Sequence, residues 1–213
     1  MNLAQIAGKK FVIALLLLFF MVAGLQVATG SALGPLEQVK ESVDAIMSIV
    51  KDNKPKVEGE KLADSFRQQI MDIVYERFDF RAMSRLALAR YWKTITPQEQ
   101  DHFVFLFSKS LENTYYDKIS SYSGEKVVFT GQEDKSHGRV SVSSVLIHNN
   151  VQTPIVYSLR QKDDKWVVYD VVIEGVSLIL NYRTQFAQII EKEKYAGLVK
   201  RLEEKVAKNE AVE

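Results

Sequence analysis

Apolar and polar residues alternate along this chain with two different periods, and each change of period marks a boundary between elements. Residues 165–183, KWVVYDVVIEGVSLILNYR, contain one such change. Trp166, Val167, Val168, Tyr169, Val171, Val172 and Ile173 are the β-branched and aromatic residues of a buried strand. Glu174-Gly175 breaks the alternation, and glycine supplies the backbone angles that a sharp strand-to-helix turn needs. Beyond it, Leu178, Tyr182, Phe186 and Ile189 recur at helical spacing. A last strand running into an apolar helix gives two walls of one core, or of one cavity.

The N-terminal half has the helical period. In 35–52 the apolar positions Leu36, Val39, Val43, Ile46, Met47 and Val50 form one face. KDNKPKVEG (51–59) is the polar, Pro- and Gly-containing break that predicts a loop. A second helix covers 60–77, with Leu62, Phe66, Ile70 and Val74 spaced along it. Asp79 is the cap of a third, short helix, FRAMSRLALARYW. Thr96-Pro97-Gln98-Glu99 is a capping box with proline at the first helical position, opening a long helix to about residue 122. Its apolar face carries Phe103, Leu106, Phe107, Leu111, Tyr115 and Ile119.

The period then becomes two. Segments 125–131, 138–148, 151–161 and 165–174 predict four strands, joined by QEDKSH, Asn149-Asn150 and KDD, connections short enough for an antiparallel meander. Ile155, Tyr157 and Leu159 alternate in the third strand, and Val167, Tyr169, Val171 and Ile173 in the fourth. Helices return at 176–193 and 195–208. The fold class is α+β: helices packed on a curved four-stranded antiparallel sheet. Such a sheet encloses an apolar, cone-like pocket wherever side chains do not fill its inner layer.

The N-terminus changes the compartment. Lys9 and Lys10 precede an uncharged apolar run, 11–25, followed by small residues in VATGSALG. That order predicts a secretory signal peptide over 1–32, removed to leave a single domain at 33–208 and a charged tail at 209–213. A retained anchor over 11–28 is the alternative. The formal net charge is +1 and loses two lysines with the leader, so no basic footprint for nucleic acid exists. Cysteine is absent, which excludes disulfides, thiolate metal sites and cysteine nucleophiles.

Little points to catalysis. His102, His137 and His148 lack the spacing of a metal pair, and no phosphate loop or dinucleotide fingerprint occurs. Gly175-Val176-Ser177 has the strand-turn-helix context of a serine nucleophile but lacks the second small residue, so Ser177 reads first as a helix-terminal hydrogen-bonding residue. Asp170 and Glu174 share a strand face at roughly 13 Å, too far for direct acid/base cooperation. A hydrolase using Ser177 or the Asp170/Glu174 pair is the competing reading. Arg81, Arg85 and Arg90 read as solvated or ion-paired. No cofactor or metal is implied.

FDFRAMSRLALARYWKTITPQEQ, FLFSKSLENTYYDKISSYSGEKVVF and, most specifically, WVVYDVVIEGVSLILNYRTQF resemble the MlaC family of periplasmic phospholipid-binding proteins, also called the toluene-tolerance family. The resemblance spans 35–201. It implies a carrier without catalytic activity whose deep pocket takes acyl chains, with the head group near the mouth. It also implies exchange of lipid with an inner-membrane ABC transporter that includes an MCE-domain protein, and with an outer-membrane lipoprotein complex, to maintain outer-membrane lipid asymmetry. A pocket without a charged floor makes head-group selectivity weak. Counting faces selects Leu106 and Tyr115 on the long helix as pocket residues. It adds Phe129, Val142, Ile147, Tyr157, Tyr169, Val171 and Ile173 on the strands, and Leu178 and Tyr182 on the closing helix. Each of them equally suits an ordinary core.

Overall fold

The computed structural model describes residues 33–53, 64–120 and 124–210. The predicted leader, and most of the predicted 51–59 loop, lie outside them. Leu33–Glu213 forms one compact unit. Its elements are α1 (Pro35–Asp52), α2 (Asp64–Arg77), α3 (Phe80–Leu88), a 3-10 turn (Ala89–Thr94) and α4 (Pro97–Ser120). Strands β1 (Lys126–Lys135), β2 (Arg139–His148), β3 (Val151–Lys162), β4 (Lys165–Ile173) and β5 (Val176–Ser177) follow, then α5 (Leu178–Glu210).

Local chemistry places the helix starts. Asp79 caps α3 by accepting from Ala82 N at 3.0 Å, and its own N–H donates to Val168 O at 2.9 Å, fastening α3 to the sheet. Thr96 and Glu99 form the capping box of α4: Glu99 N donates to Thr96 Oγ1 at 3.2 Å, and Thr96 N to Glu99 Oε2 at 2.7 Å. Within α5, Lys194 has φ 64° and ψ 177°, which breaks the helical path between the two predicted C-terminal helices.

The sheet is an antiparallel meander in the order β1-β2-β3-β4-β5. Asn149-Asn150 and Asp163-Asp164 take positive φ (47° and 65°; 48° and 61°), the conformation of two-residue hairpin turns whose twist matches that of the strands. Two features depart from the sequence expectation. β1 continues to Lys135 because the irregularity between Phe129 and Gly131 lets pairing resume through the segment read as a turn. A fifth strand exists because Glu174 (φ 50°) and Gly175 (φ 81°) turn Val176 back onto Ile173 before α5 begins.

Three apolar clusters organise the packing among the described residues, the smallest made by Val50 of α1, Ile70 of α2 and Tyr116 of α4. Phe103, Leu106 and Phe107 of α4 pack with Met83 and Leu88 of α3 and with Ile179, Phe186, Leu198 and Leu202 of α5. Val39 of α1 packs with Val140, Val142, Leu159, Val168 and Val171 of the sheet. Between the clusters the inner face of the sheet is not filled.

Candidate functional site

A cavity of about 410 Å³ lies between the sheet and helices α1, α2 and α4. Val39, Val43, Ile46 and Met47 line it from α1, and Met71, Ile73, Val74 and Phe78 from α2 and its end. Leu111, Tyr115, Tyr116 and Ile119 line it from α4, and Leu146, Ile155, Tyr157, Val168, Val171 and Ile173 from the sheet. These positions repeat at helical spacing on each helix, so every helix contributes its apolar stripe to the wall.

Burial along the elements gives the cavity a direction. Val39 is buried, while Val43, Ile46 and Met47 are half-buried; Leu111 is buried, Ile119 half-buried and Lys118 exposed. Val168 and Val171 are buried and Ile173 half-buried. The closed end is therefore near Val39, Arg77 and Val168, and the open end near Lys118, Ile119, Glu125, Leu146 and Ile173. At 1.5 Å per helical residue and ~3.3 Å per strand residue, the two ends stand on the order of 12–16 Å apart.

Polar groups in the wall are held by the protein. At the closed end, Arg77 Nε donates to Ser42 Oγ at 2.9 Å, and its Nη1 donates to Gln38 Oε1 at 2.6 Å and Trp166 O at 2.7 Å, joining α1, α2 and β4. Burial pulls the Arg77 guanidinium down from its ordinary value, with Glu76 and Glu41 opposing. The closed end thus carries a charge, contrary to the expectation of an uncharged floor. Glu112 accepts from Arg67 Nε at 3.2 Å, Tyr75 OH at 3.1 Å and Lys109 Nζ at 2.8 Å. Burial alone would raise its carboxyl, but these donors outweigh burial and hold it below the ordinary value. Burial pushes the Tyr115 and Tyr157 hydroxyls up, so both stay neutral at physiological pH.

Five residues selected from sequence stand in this wall: Tyr115, Tyr157, Val171, Ile173 and Leu178. The other six stand elsewhere. Leu106 points from α4 into the cluster with α3 and α5. Tyr182 belongs to that cluster too, its ring 5.0 Å from Phe107 and 5.4 Å from Phe186, because α5 lies on α3 and α4 and only Leu178 at its start reaches the cavity. Val142 is fully buried under Val39, and Phe129 packs on the same cluster against Tyr157.

Strand register explains the remaining two. In β4, Asp170 pairs with Ser158 but Val168 with Leu159, so Tyr169 is an extra, bulged residue. The bulge puts Val168 rather than Tyr169 on the wall, and the Tyr169 ring lies 5.7 Å from the Arg139 guanidinium. In β2, alternation continues unbroken from Val142 through Ser144 to Leu146, so Leu146 faces the cavity and Ile147 the other side. The α1 and α2 residues were missed as wall residues although their stripes were visible in the sequence. Nothing in a helical stripe says whether it meets side chains or a void.

The candidate catalytic residues have structural partners. Ser177 Oγ donates to Asp170 Oδ2 at 2.6 Å and accepts from Leu180 N at 3.0 Å. Asp170 Oδ1 accepts from Ile179 N at 3.1 Å. This is the N-terminal cap of α5. Glu174 is exposed in the β4–β5 turn, at φ 50°. Arg81 pairs with Asp101, and Arg90 lies over the Tyr91 ring at 4.9 Å. Among the described residues, no three His, Asp or Glu side chains converge as metal ligands.

The same fold occurs in a phospholipid-binding protein from Ralstonia solanacearum solved in complex with a phospholipid. The two match with a TM-score of 0.71 at 24% identity, over 83% of this chain and 99% of that one. The intermembrane phospholipid transport system binding protein MlaC of Haemophilus influenzae is 20% identical over 209 residues, 96% of this chain and 95% of its own length. Toluene tolerance protein ttg2D of Pseudomonas putida is 22% identical over 177 residues, covering 82% and 81%. The MlaC protein family model matches residues 40–204, from the first helix that lines the cavity to the last turns of α5. With that span matched in the order of its helices and strands, the chain belongs to the MlaC family.

Proposed function

We propose that this chain is a periplasmic phospholipid carrier. The observation that carries the reading is the cavity itself: about 410 Å³, lined mainly by aliphatic and aromatic side chains, closed at one end and open at the other. That volume falls within the roughly 300–1,000 Å³ of small-molecule sites. The R. solanacearum protein of the same fold holds a phospholipid, and the H. influenzae relative is named for phospholipid transport between membranes.

Each acyl CH₂ withdrawn from water contributes about 0.8 kcal/mol, so two ordinary chains amount to on the order of 20 kcal/mol. A free phospholipid therefore almost never crosses an aqueous gap unaided. A carrier has to match the membrane closely enough for exchange at contact, and an apolar wall does this with no bond made or broken. No catalytic residue is required. In this reading the carrier exchanges lipid with an inner-membrane ABC transporter containing an MCE-domain protein and with an outer-membrane lipoprotein complex, and so maintains lipid asymmetry.

The test is uptake. Delipidated protein is mixed with vesicles containing a fluorescent phospholipid, separated from them, and offered to acceptor vesicles. Saturable uptake followed by release supports the carrier, and folded protein that never acquires lipid contradicts it.

A further inference from the structure

The inner face of the sheet carries a pair of hydroxyls among its aliphatic and aromatic residues. Tyr157 lies on β3, the middle strand of the sheet, and is a half-buried residue of the cavity wall. Ser144 lies on β2, on the inner face between Val142 and Leu146, and is only 1% exposed. Strand register fixes their level. Ser144 pairs with Ile155, and Ile155 with Ile173 at the open end. Tyr157 pairs with Val142, one inward-facing step closer to the closed end.

The Tyr157 side chain leans back across that step, toward the mouth. Its ring stacks with that of Phe129 on β1, centroids 6.5 Å apart, and Phe129 is the residue paired with Ser144. The two rings come from the strands on either side of β2 and flank Ser144, which accounts for its burial. The Tyr157 hydroxyl meets Ser144, a contact that opposes the upward push of burial on that hydroxyl. Ser144 Oγ nevertheless has no partner at full hydrogen-bond geometry, so the pair holds bonding capacity that the protein does not use. A buried hydroxyl in that state costs about 1–3 kcal/mol, which a ligand oxygen at this level removes. Other polar groups of the wall differ: Ser42, Arg77 and Glu112 bond to protein partners.

We propose that Tyr157, backed by Ser144, donates a hydrogen bond to an acyl ester carbonyl of the bound lipid and makes the cavity prefer ester-linked over ether-linked phospholipids. This rests on the carrier reading and adds a linkage class to it. A phospholipid whose chains run toward Val39 and Val168 has its esters just inside the mouth, at the level of Ile155 and Ile173. An ester carbonyl accepts hydrogen bonds and carries no donor, which suits a neutral tyrosine O–H. A diether lipid presents a CH₂ where the carbonyl stands and leaves the hydroxyl pair as it is in the empty protein. One neutral hydrogen bond gives a preference of about fivefold.

The experiment offers delipidated protein vesicles of equal parts diester and diether phosphatidylcholine with matched chain lengths, then measures bound lipid by mass spectrometry. The wild type is expected to hold about five times more of the diester lipid. Tyr157→Phe keeps the ring and its stack on Phe129 but removes the donor, and is expected to bring the ratio to about one. The wild-type ratio does not depend on any variant folding, so it tests the assignment by itself. Bound lipid in the same proportion as the vesicles, or a preference that survives Tyr157→Phe, overturns the assignment while leaving the carrier reading intact. Uptake of neither lipid overturns both.

Discussion

Ser177 Oγ donates to Asp170 Oδ2 at 2.6 Å while accepting from Leu180 N at 3.0 Å, so one hydroxyl joins the last long strand to the first turn of α5. Asp170 completes the joint by accepting from Ile179 N. The pair holds α5 to β4 where the chain leaves the sheet. Removing the Ser177 hydroxyl should cost about 1 kcal/mol, as for other N-terminal caps. Asp170→Ala should cost about 1–2 kcal/mol, and the double variant less than the sum, since both changes break one network. Urea unfolding with unchanged m-values checks this. Equal stability of all four proteins would contradict it.

Leu146 and Ile147 are neighbours on β2, but only Leu146 lies in the cavity wall. Leu146→Trp places a large ring at the open end and should lower phospholipid uptake by about tenfold, a loss of ~1.4 kcal/mol. Ile147→Trp projects from the other face and should leave uptake within about twofold. The vesicle assay reads both. Equal losses in the two variants would show that the assigned register, or the cavity's role, is wrong.

Glu112 gives the fold an acid limit. Its folded-state carboxyl lies below the ordinary value of 4.5 because the Lys109, Arg67 and Tyr75 donors outweigh burial. A depressed carboxylate stabilises the folded chain above its unfolded pKa, and that stability is lost as pH falls through the folded value. Glu112→Gln should therefore destabilise by about 1–3 kcal/mol near neutral pH, where Arg67 and Lys109 lose the carboxylate charge that they share. The difference from the wild type should shrink toward about pH 3. Asp79 is lowered too, so the variant keeps some acid sensitivity. A penalty as large in acid as at neutrality would rule out the ionic origin.

Gly197 reverses the usual helix rule. Glycine-to-alanine changes in helices normally stabilise by roughly 0.5–1 kcal/mol. Here an added Cβ would stand 2.4 Å from the Glu193 Cβ, across the break at Lys194. Gly197→Ala should destabilise by about 1–3 kcal/mol, as overpacking does. A higher unfolding midpoint would contradict the close approach.

Much of this fold is legible in the sequence because its signals are local. The Thr96–Glu99 capping box, the Asp79 cap, the Asn149-Asn150 turn and the division of the last helix near Lys194 each depend on a few neighbouring residues. What the sequence does not show depends on partners far along the chain. The bulge at Tyr169 is defined by pairing with β3, and it moves Val168 onto the inner face against simple alternation. The destination of α5 is likewise tertiary: its apolar stripe fits a cavity lid as well as the α3–α4 surface it covers. The α1 stripe reads as ordinary core, yet from Val43 to Met47 it borders open space.

The most direct measurement is the composition of the protein as cells make it. Folded protein is purified without detergent, extracted with organic solvent, and the extract analysed by mass spectrometry. A carrier with this cavity should yield phospholipid in near-stoichiometric amount, removed only when the extraction unfolds it. Folded protein that repeatedly yields no phospholipid, and acquires none from vesicles, would contradict the account.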